Sequence, residues 1–284
     1  MRRILVLRGG ALGDFIVTLP ALASLRQRWP EARIELAGNA TAAALAEARG
    51  LLDAVHSQQE ARWAELYSRT PLSPRFAAWL KEFDLVICFW PDPDGELASR
   101  FPLHPGQRYL HGGARPQTTP AARHFIAALS PLGIPETAPL FFRLQPRIVA
   151  QSVPAAKLRQ VVLHPGSGSP RKNWPLENWR QLAGWLSTQS SLSLAIISGP
   201  AEPEPLLTEC GATWRNLPLE ALVERMNGCA LFVGHDSGIS HLASACGARC
   251  VLMFGPTDPS IWSPPASNVT VLQTGPNWEG LSLT

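Results

Sequence analysis

The chain has 284 residues, 45% of them hydrophobic and 17% charged, which is the balance of a folded globular protein and excludes a disordered chain. Its net charge of +3 is too small to indicate a nucleic-acid partner. No apolar run is long enough to cross a bilayer, and Arg8 and Asp14 interrupt the first run too early for a secretory signal.

The cysteines also bear on the compartment. No two of them form a CxxC pair, and no pattern of ligand histidines lies nearby. We therefore expect reduced and mostly buried thiols rather than disulfides or a metal site. The five are Cys88, Cys210, Cys229, Cys246 and Cys250. We therefore expect a cytoplasmic protein.

The first 40 residues predict a β-α-β unit. Residues 4–7 form an apolar run typical of a parallel strand buried on both faces, and a turn of small residues follows at 9–14. Apolar residues at helical spacing then predict a helix, in which Pro20 predicts a bend or a restart. Residues 33–37 predict the second strand.

Strand and helix patterns alternate along the rest of the chain. Further strands are predicted at residues 84–89, 161–163, 192–197, 230–233 and 250–254. Further helices are predicted at residues 121–132, 176–186, 202–210, 219–227 and 237–246. Residues 96–117 show no clear period and predict loops, and four prolines between Gly133 and Gln160 predict an interdomain linker.

This alternation predicts an α/β fold in which parallel sheets carry helices on both faces. Because the pattern starts again after the proline-rich stretch, we expect two Rossmann-like lobes facing a central cleft. The first lobe would span residues 1–145 and the second residues 155–284. Ligands of such sheets bind beyond the carboxyl ends of the strands, so the turns there are the candidate functional segments.

The turn at residues 9–14 places Asp14 at the start of the first helix. Its glycine spacing does not match GxGxxG, so it is a weak signal for a phosphate loop. One interpretation of Asp14 is helix capping, because a carboxylate at a helix start accepts backbone N–H groups and is favoured by the dipole. The other interpretation is a general base at the cleft, oriented by the same helix start.

Residues 164–175 combine glycines, serines and cations. Gly166 and Gly168 permit close approach of the backbone to an anion, and Ser167 adds a hydroxyl donor. Lys172 is a candidate partner for a diphosphate, as a compact and mobile charge. A solvated loop is the alternative, and the two tryptophans of this region are expected to pack rather than to stack on a ligand.

Residues 234–241 follow a predicted strand and open a helix. Ser237 and Gly238 would present free N–H groups at the helix N-terminus, which is a favourable place for a phosphate. His241 lies one turn further and would reach the same anion. In the alternative interpretation, Asp236 or Ser237 is simply the N-cap and His241 is a surface histidine.

Together these segments resemble family nine of the glycosyltransferases, the ADP-heptose:lipopolysaccharide heptosyltransferases. The matching segments stand in the family's order: ILVLRGGALGDFIVTLPAL, LHPGSGSPRKNWPLENW, FVGHDSGISHLASACG and VLMFGPTDP. They cover both predicted lobes, whereas residues 41–159 match only in general pattern. The chain is shorter than typical members of the family, in which a further C-terminal helix packs on the first lobe.

The resemblance implies a GT-B fold, with the acceptor bound mainly by the N-terminal lobe and a nucleotide sugar by the C-terminal lobe. It implies that Asp14 is the catalytic base and that Lys172 contacts the donor diphosphate. Glu202 falls near the acidic residue that holds the ribose hydroxyls. The donor-binding segment D-[TS]-G-x-x-H is matched by Asp236, Ser237, Gly238 and His241.

The implied reaction is inverting and needs no metal ion or other cofactor beyond the nucleotide sugar, which we expect to be ADP-linked. Asp14 would remove a proton from the acceptor hydroxyl as it attacks the anomeric carbon, through an oxocarbenium-like state. Lys172, His241 and the helix start at Ser237 and Gly238 would stabilise the charge on the leaving diphosphate.

The expected partners are a nucleotide-diphosphate sugar and a glycan or lipid-linked glycan acceptor. For a lipid-linked acceptor we expect at most peripheral contact with the inner face of the inner membrane. Two alternatives stay open, namely a non-catalytic nucleotide- or glycan-binding relative and another GT-B enzyme such as a nucleotide-sugar epimerase. Asp14 and Lys172 argue against the first, because a degenerate copy has no reason to keep both.

Overall fold

The computed structural model describes residues 1–147, 159–189, 191–199, 207–279 and 281. The chain divides into two compact units, Met1–Phe142 and Arg143–Thr284. Their junction falls within the proline-rich stretch that predicts the linker. Each unit is an α/β body built on its own parallel sheet.

Five described strands form the sheet of the first unit: β1 (Arg3–Arg8), β2 (Arg33–Gly38), β3 (Ala54–Ser57), β4 (Leu85–Cys88) and β5 (Arg108–His111). They pair in parallel in the order β3-β2-β1-β4-β5. Residues 4–7 and 85–88 are fully buried, which explains why their sequences are unbroken apolar runs. The order of the strands reverses between β1 and β4, where ligands of such sheets bind.

Helices connect these strands: α1 (Leu12–Ile16), α2 (Leu19–Arg28), α3 (Ala40–Glu47), α4 (Pro74–Leu80), α5 (Glu96–Arg100) and α6 (Ala121–Ala127). The predicted restart at Pro20 is confirmed, because α1 ends at Ile16 and Pro20 lies in the first turn of α2, where a missing N–H costs nothing. A 3-10 segment, Ala61–Tyr67, packs with α4 and α5 on one face of the sheet.

Six described strands form the sheet of the second unit: β6 (Gln160–His164), β7 (Ser193–Ser198), β8 (Ala212–Arg215), β9 (Leu231–His235), β10 (Cys250–Phe254) and β11 (Val269–Gln273). They are parallel in the order β11-β10-β9-β6-β7-β8, which reverses between β6 and β9. The helices described here are α7 (Leu176–Ser187), α8 (Leu219–Met226), α9 (Gly238–Ala245) and α10 (Pro259–Trp262).

The prediction of loops over residues 96–117 is confirmed for residues 101–107 and 112–117, but it missed α5 and β5, which lie in the same segment. The edge strands β3, β5 and β8 also lack a predicted counterpart, because each is only partly buried and therefore has no continuous apolar run. The helix predicted at residues 202–210 falls mostly outside the described residues.

All five cysteines are free thiols, and the prediction that most of them are buried is confirmed, since only Cys210 is half-buried. Among the described residues, no helix has the length and the apolar character that a membrane crossing requires.

Candidate functional site

The turn after β1 is shaped around Asp14. Gly10 has φ +101°, and a Cβ at this position would stand 2.7 Å from Cβ and Oδ2 of Asp14, so a larger residue would displace the carboxylate. Asp14 is the third residue of α1, and its Oδ2 accepts the backbone N–H of Ala11 at 2.9 Å. The capping interpretation is therefore confirmed. The cap uses Oδ2, so Oδ1 remains for other contacts, and the Asp14 side chain is 34% exposed.

Arg8 binds the backbone of this turn. Its buried guanidinium donates from Nη2 to the carbonyl oxygen of Asp14 at 2.9 Å and lies 3.4 Å from Oδ1 of the same residue. Nε donates to Oγ1 of Thr18 at 2.9 Å, Nη1 donates to the carbonyl oxygen of Ala114 at 3.3 Å, and the guanidinium stacks 4.5 Å from the ring centre of Phe125. Burial lowers the pKa of Arg8 below its ordinary value, and the Asp14 carboxylate partly offsets this effect.

A cavity of about 540 Å³ opens beside the same turn, within the first unit. It is formed where β1, β3 and β4 end and where the 3-10 segment crosses them. We call it the Trp90 pocket, and its main lining residues are Gly9, Gly10, Gln58, Trp63, Tyr67 and Trp90. Trp90 is buried, and its Nε1 has no hydrogen-bond partner among the described residues.

In the second unit, the turns after β6 and β9 bring two predicted donor residues together. Nζ of Lys172 donates to Oδ2 of Asp236 at 2.7 Å. The Asp236 side chain is almost buried, whereas that of Lys172 is one-third exposed. Lys172 is therefore held at one end by a carboxylate and still presents charge to solvent.

The start of α9 offers unpaired backbone donors. Oγ of Ser237 accepts the N–H of Ser240 at 3.2 Å, so the N-cap interpretation of Ser237 is confirmed. The first backbone N–H of α9 that has an acceptor within the helix is that of His241, which donates to the carbonyl oxygen of Ser237. The N–H of Gly238 precedes it and therefore has no acceptor inside the helix. An N-terminus of this kind, capped on one side, is suited to an anion.

The remaining predicted residues have other surroundings. His241 is buried, so the surface-histidine interpretation is wrong. Oγ of Ser167 lies 2.6 Å from Oδ1 of Asn173 and 2.8 Å from the carbonyl oxygen of Ser169, and its hydroxyl thus ties the loop together. Glu202 lies outside the described residues. Asp14 belongs to the first unit and the other described candidates to the second.

Two buried histidines, His164 and His235, contact the turns that carry Lys172 and Ser237. Nε2 of His235 accepts both the backbone N–H of Trp174 at 2.9 Å and the indole N–H of Trp179 at 3.3 Å, so the proton of the neutral ring is on Nδ1. Burial lowers the pKa of His235 to about 3, helped by the nearby His164, and lowers the pKa of His164 to about 4. Nδ1 of His164 lies 3.3 Å from Oγ of Ser237. Both tryptophans are buried, as expected of packing residues.

Sequence reasoning overlooked Arg8, His164 and His235. A signal was present in each case: a charged or titratable residue ends an otherwise apolar, buried strand. Such a residue must find partners in the interior, because an unpaired buried polar group is costly. The position therefore marks a strand end at which polar groups gather.

The chain contains one DxD triplet, Asp92-Pro93-Asp94. Two carboxylates at this spacing can bind a divalent cation, so their surroundings bear on the prediction of metal independence. The carboxylate of Asp92 accepts the N–H groups of Leu97 at 2.9 Å and Ala98 at 3.0 Å, and that of Asp94 accepts the N–H of Glu96 at 3.2 Å. Both carboxylates thus cap the start of α5. Within the described ranges, no group of three or more His, Cys, Asp or Glu side chains is arranged to hold a metal ion.

Comparison with known proteins gives consistent matches. Lipopolysaccharide heptosyltransferase 1 of Escherichia coli O18:K1:H7 is 25% identical over an alignment of 293 positions, gaps included, which covers 91% of this chain and 87% of the relative. The solved structure of E. coli heptosyltransferase WaaC with ADP has a TM-score of 0.74 at 20% identity and covers 99% of this chain and 96% of that chain. The iron-containing dodecameric glycosyltransferase TibC from enterotoxigenic E. coli H10407 has a TM-score of 0.59 at 18% identity and covers 95% and 62%, respectively.

The structural likeness confirms the predicted α/β fold of the GT-B class, with two Rossmann-like units that each carry a parallel sheet. The model of the family described as "Glycosyltransferase family 9 (heptosyltransferase)" matches residues 120–282, more than half of the chain. The resemblance that the sequence motifs indicate is thereby confirmed. The chain belongs to glycosyltransferase family 9, the heptosyltransferase family, and is a glycosyltransferase.

Proposed function

We propose that this enzyme transfers a heptose from an ADP-linked donor to a hydroxyl of a lipopolysaccharide-type or other glycan acceptor, with inversion at the anomeric carbon and without a metal ion. The observation that carries the proposal is the pairing of Lys172 with Asp236 beside the N-terminus of α9. The heptosyl group is supported by the relative named lipopolysaccharide heptosyltransferase 1, and the adenine nucleotide by the ADP bound to WaaC.

In the proposed donor site, the diphosphate lies against the first turn of α9. The N–H of Gly238 and the positive end of the helix dipole meet one phosphate. Lys172 meets the diphosphate as a point charge, with Asp236 holding its ammonium group in place at 2.7 Å. Ser167 and His241 complete the donor contacts, and Glu202 binds the ribose.

In the proposed reaction, Asp14 accepts the proton of the attacking acceptor hydroxyl. The acceptor oxygen forms a bond to the anomeric carbon as the bond from that carbon to the diphosphate breaks, and the electron pair leaves with the diphosphate. The negative charge that develops there is stabilised by Lys172 and the α9 N-terminus. Arg8 is a positioning residue, because it binds the carbonyl oxygen of Asp14 and thereby fixes the first turn of α1.

Metal independence follows from the same assignment, because Lys172 and the helix N-terminus take the place of a cation at the diphosphate. The iron-containing TibC shows that a protein of similar fold can contain a metal. Turnover of the enzyme should therefore be compared after exhaustive dialysis against a chelator and after addition of Mg²⁺, Mn²⁺ or Fe²⁺. Equal rates support the proposal, and a rate restored by one of these ions contradicts it.

The proposed location is the cytoplasm, at the inner face of the inner membrane when the acceptor is lipid-linked. The support is chemical: the five free thiols suit a reducing compartment. The proposed membrane contact is peripheral. Fractionation of cells that express the protein tests it, since a high-salt wash should release the enzyme from membranes. Retention until detergent is added would contradict a peripheral contact.

The donor is tested by thermal denaturation with ADP, GDP, UDP and CDP, because a ligand that binds the folded state raises its apparent stability. ADP should give the largest shift, and no shift with any of the four would oppose the donor site. Transfer from ADP-heptose to a defined acceptor is then followed by NMR, which reports the anomeric configuration of the product. A retained configuration contradicts inversion. A changed nucleotide sugar in the absence of acceptor would point to an epimerase.

A further inference from the structure

The Trp90 pocket lies directly beside the proposed base. Gly10 lines the pocket, and the Asp14 carboxylate is within 2.7 Å of the position of a Cβ at Gly10. The pocket volume of about 540 Å³ lies within the roughly 300–1,000 Å³ that is common for small-ligand sites. A molecule that contacts Gly10 in the pocket is therefore separated by this one glycine from the Asp14 carboxylate.

The lining of the pocket carries no cation. It consists of two glycines, two alanines, a proline, two glutamines, three aromatic residues and one glutamate, and these described residues include no lysine or arginine. The glutamate, Glu60, is bridged to Arg62 at 2.8 Å. Arg62 is itself engaged outside this lining, over the ring of Trp79 at 4.5 Å and with Nδ1 of His56 at 2.9 Å. A carboxylate or phosphate in the pocket would lack the charged donors that such groups require.

A hydrogen-bond acceptor and a hydrogen-bond donor lie beside the same glycine in the pocket wall. A Cβ at Gly9 would stand 3.1 Å from Oε1 of Gln58 and 3.5 Å from Nε1 of Trp90. The first atom accepts a hydrogen bond and the second donates one, and a sugar ring, whose hydroxyls both donate and accept, is suited to pair with both. Trp90 is 6% exposed and its N–H is unpartnered in the described structure, which is costly for a buried donor. By contrast, the buried indole N–H of Trp63 bonds to the carbonyl oxygen of Ser57 at 2.9 Å.

The rim provides an aromatic surface. Tyr67 is 57% exposed and lines the pocket opposite the strand ends. Aromatic rings contribute a large apolar contact area, which suits the C–H face of a sugar ring. Partial burial raises the pKa of Tyr67 to about 12, so its hydroxyl stays neutral and can donate a hydrogen bond. The aromatic surface of the pocket, its glutamine amides and its neutral N–H and O–H donors together suit an uncharged ring that carries several hydroxyl groups.

We infer that the Trp90 pocket binds an uncharged pyranose, and that this pyranose is the acceptor ring whose hydroxyl receives the sugar. The second half of the inference rests on the proposed function, because it takes Asp14 as the base. The first half does not, because sugar binding to the pocket needs neither donor nor turnover.

The test is a titration of the full-length enzyme without nucleotide, followed by saturation-transfer NMR. The sugars are the methyl glycosides of glucose and of a heptose, and, as charged counterparts, the methyl glycoside of an ulosonic acid and glucose 6-phosphate. Saturable binding of an uncharged glycoside, with weaker or no binding of the charged sugars, is the expected result. Equal or tighter binding of the charged sugars overturns the inference.

Variants connect binding to this pocket. Gln58→Ala should weaken binding about two- to tenfold, the range expected for one hydrogen bond. Gly9→Ala should weaken it as well, because the added methyl would stand 3.1 Å from Oε1 of Gln58 and 3.5 Å from Nε1 of Trp90 and crowd both polar groups. Gln27→Ala, at a separate cavity of the same unit, is the matched control and should bind as the parent protein does. If Gly9→Ala does not fold, Gln58→Ala still decides the question, and parent-like binding by Gln58→Ala overturns the inference.

The two proposals fail in different ways. If the uncharged glycosides bind but no heptose is transferred from an ADP-linked donor, the proposed function is wrong and the pocket assignment stands. If heptose is transferred to an acidic acceptor while the uncharged glycosides do not bind, the pocket assignment is wrong and the proposed function stands.

Discussion

The turns at the central strand ends of the two sheets can be compared directly, because both sheets reverse their strand order between the central pair, β1 and β4 in one unit and β6 and β9 in the other. In the first unit the turn carries a partly exposed carboxylate, Asp14, over a buried cation, Arg8. In the second it carries a partly exposed cation, Lys172, over neutral buried histidines. One topology thus presents opposite charges at its turns, with a buried cation beneath the carboxylate in one unit and neutral imidazoles beneath the cation in the other.

This difference matches the proposed division of labour. A carboxylate beside an uncharged pocket suits proton removal from an acceptor hydroxyl, and a cation beside a helix N-terminus suits a leaving diphosphate. The buried residues below act on the backbone: Arg8 binds the carbonyl oxygen of Asp14, and His235 binds the N–H of Trp174. Four experiments test the comparison, from the largest expected effect to the smallest.

The largest effect is expected from Asp14→Asn. The amide keeps an acceptor oxygen for the helix cap but cannot take up the proton, so the transfer rate should fall about 10²–10⁴-fold. ADP binding, measured by calorimetry, should be unchanged, because the substituted residue lies in the other unit. The control is Asp53→Asn, since Asp53 also accepts a backbone N–H and pairs with an arginine in the first unit. Equal rates for both variants would remove Asp14 from the mechanism.

Lys172→Met tests the charge in the second unit. Loss of a charged donor at the leaving group should lower kcat by about 10²–10³-fold. Unlike Asp14→Asn, this variant should also weaken ADP binding, because the diphosphate loses its point charge. Lys81→Met, an exposed lysine of the first unit, provides the control. A variant with full kcat and unchanged ADP affinity would show that Lys172 serves only to pair with Asp236.

His235→Leu tests whether the buried histidine supports the Lys172 turn. The N–H groups of Trp174 and Trp179 lose their acceptor, and the free energy of unfolding should fall by about 1–3 kcal/mol. His111→Leu, at an exposed position, should leave it unchanged within about 0.5 kcal/mol. Chemical denaturation measures both. A loss of ADP affinity in His235→Leu, with the fold intact, would identify it as a positioning residue.

The smallest effect is a difference in acid sensitivity between the units. The pKa of His164 is lowered from 6.5 to about 4 and that of His235 from 6.5 to about 3. Below pH 6.5 these histidines therefore bind protons more readily in the unfolded chain than in the folded chain. Their contribution to stability is complete above pH 6.5 and is lost as the pH falls toward 3. In the first unit, burial acts to raise the pKa of Glu35, but pairing with His56 and two arginines outweighs it and lowers the pKa to about 2. The contribution of Glu35 to stability is therefore lost only as the pH falls below 4.5.

Hydrogen exchange at pH 7, 6 and 5 separates the two effects. Protection of the amides in β6 and β9 should decrease over this range, while protection in β1 and β2 should remain constant. A uniform decrease in both sheets would mean that the buried histidines do not set the acid response.

The sequence by itself determined the central strands, the helices that follow β1, β6 and β9, and the family. The reason is that central parallel strands are buried on both faces and are apolar without interruption, and that capping residues such as Ser237 act on neighbours within one helical turn. The same local logic located Asp14, Lys172 and Asp236 as candidates.

Only the tertiary structure decided which distant residues share a site. Edge strands such as β5 are half-exposed and owe their pairing to β4, so no local pattern predicts them. The pairing of Lys172 with Asp236 joins residues 64 positions apart, and the Trp90 pocket gathers the ends of three strands. Such contacts depend on the strand order of the sheet, which is set by packing of the whole unit and not by any one segment.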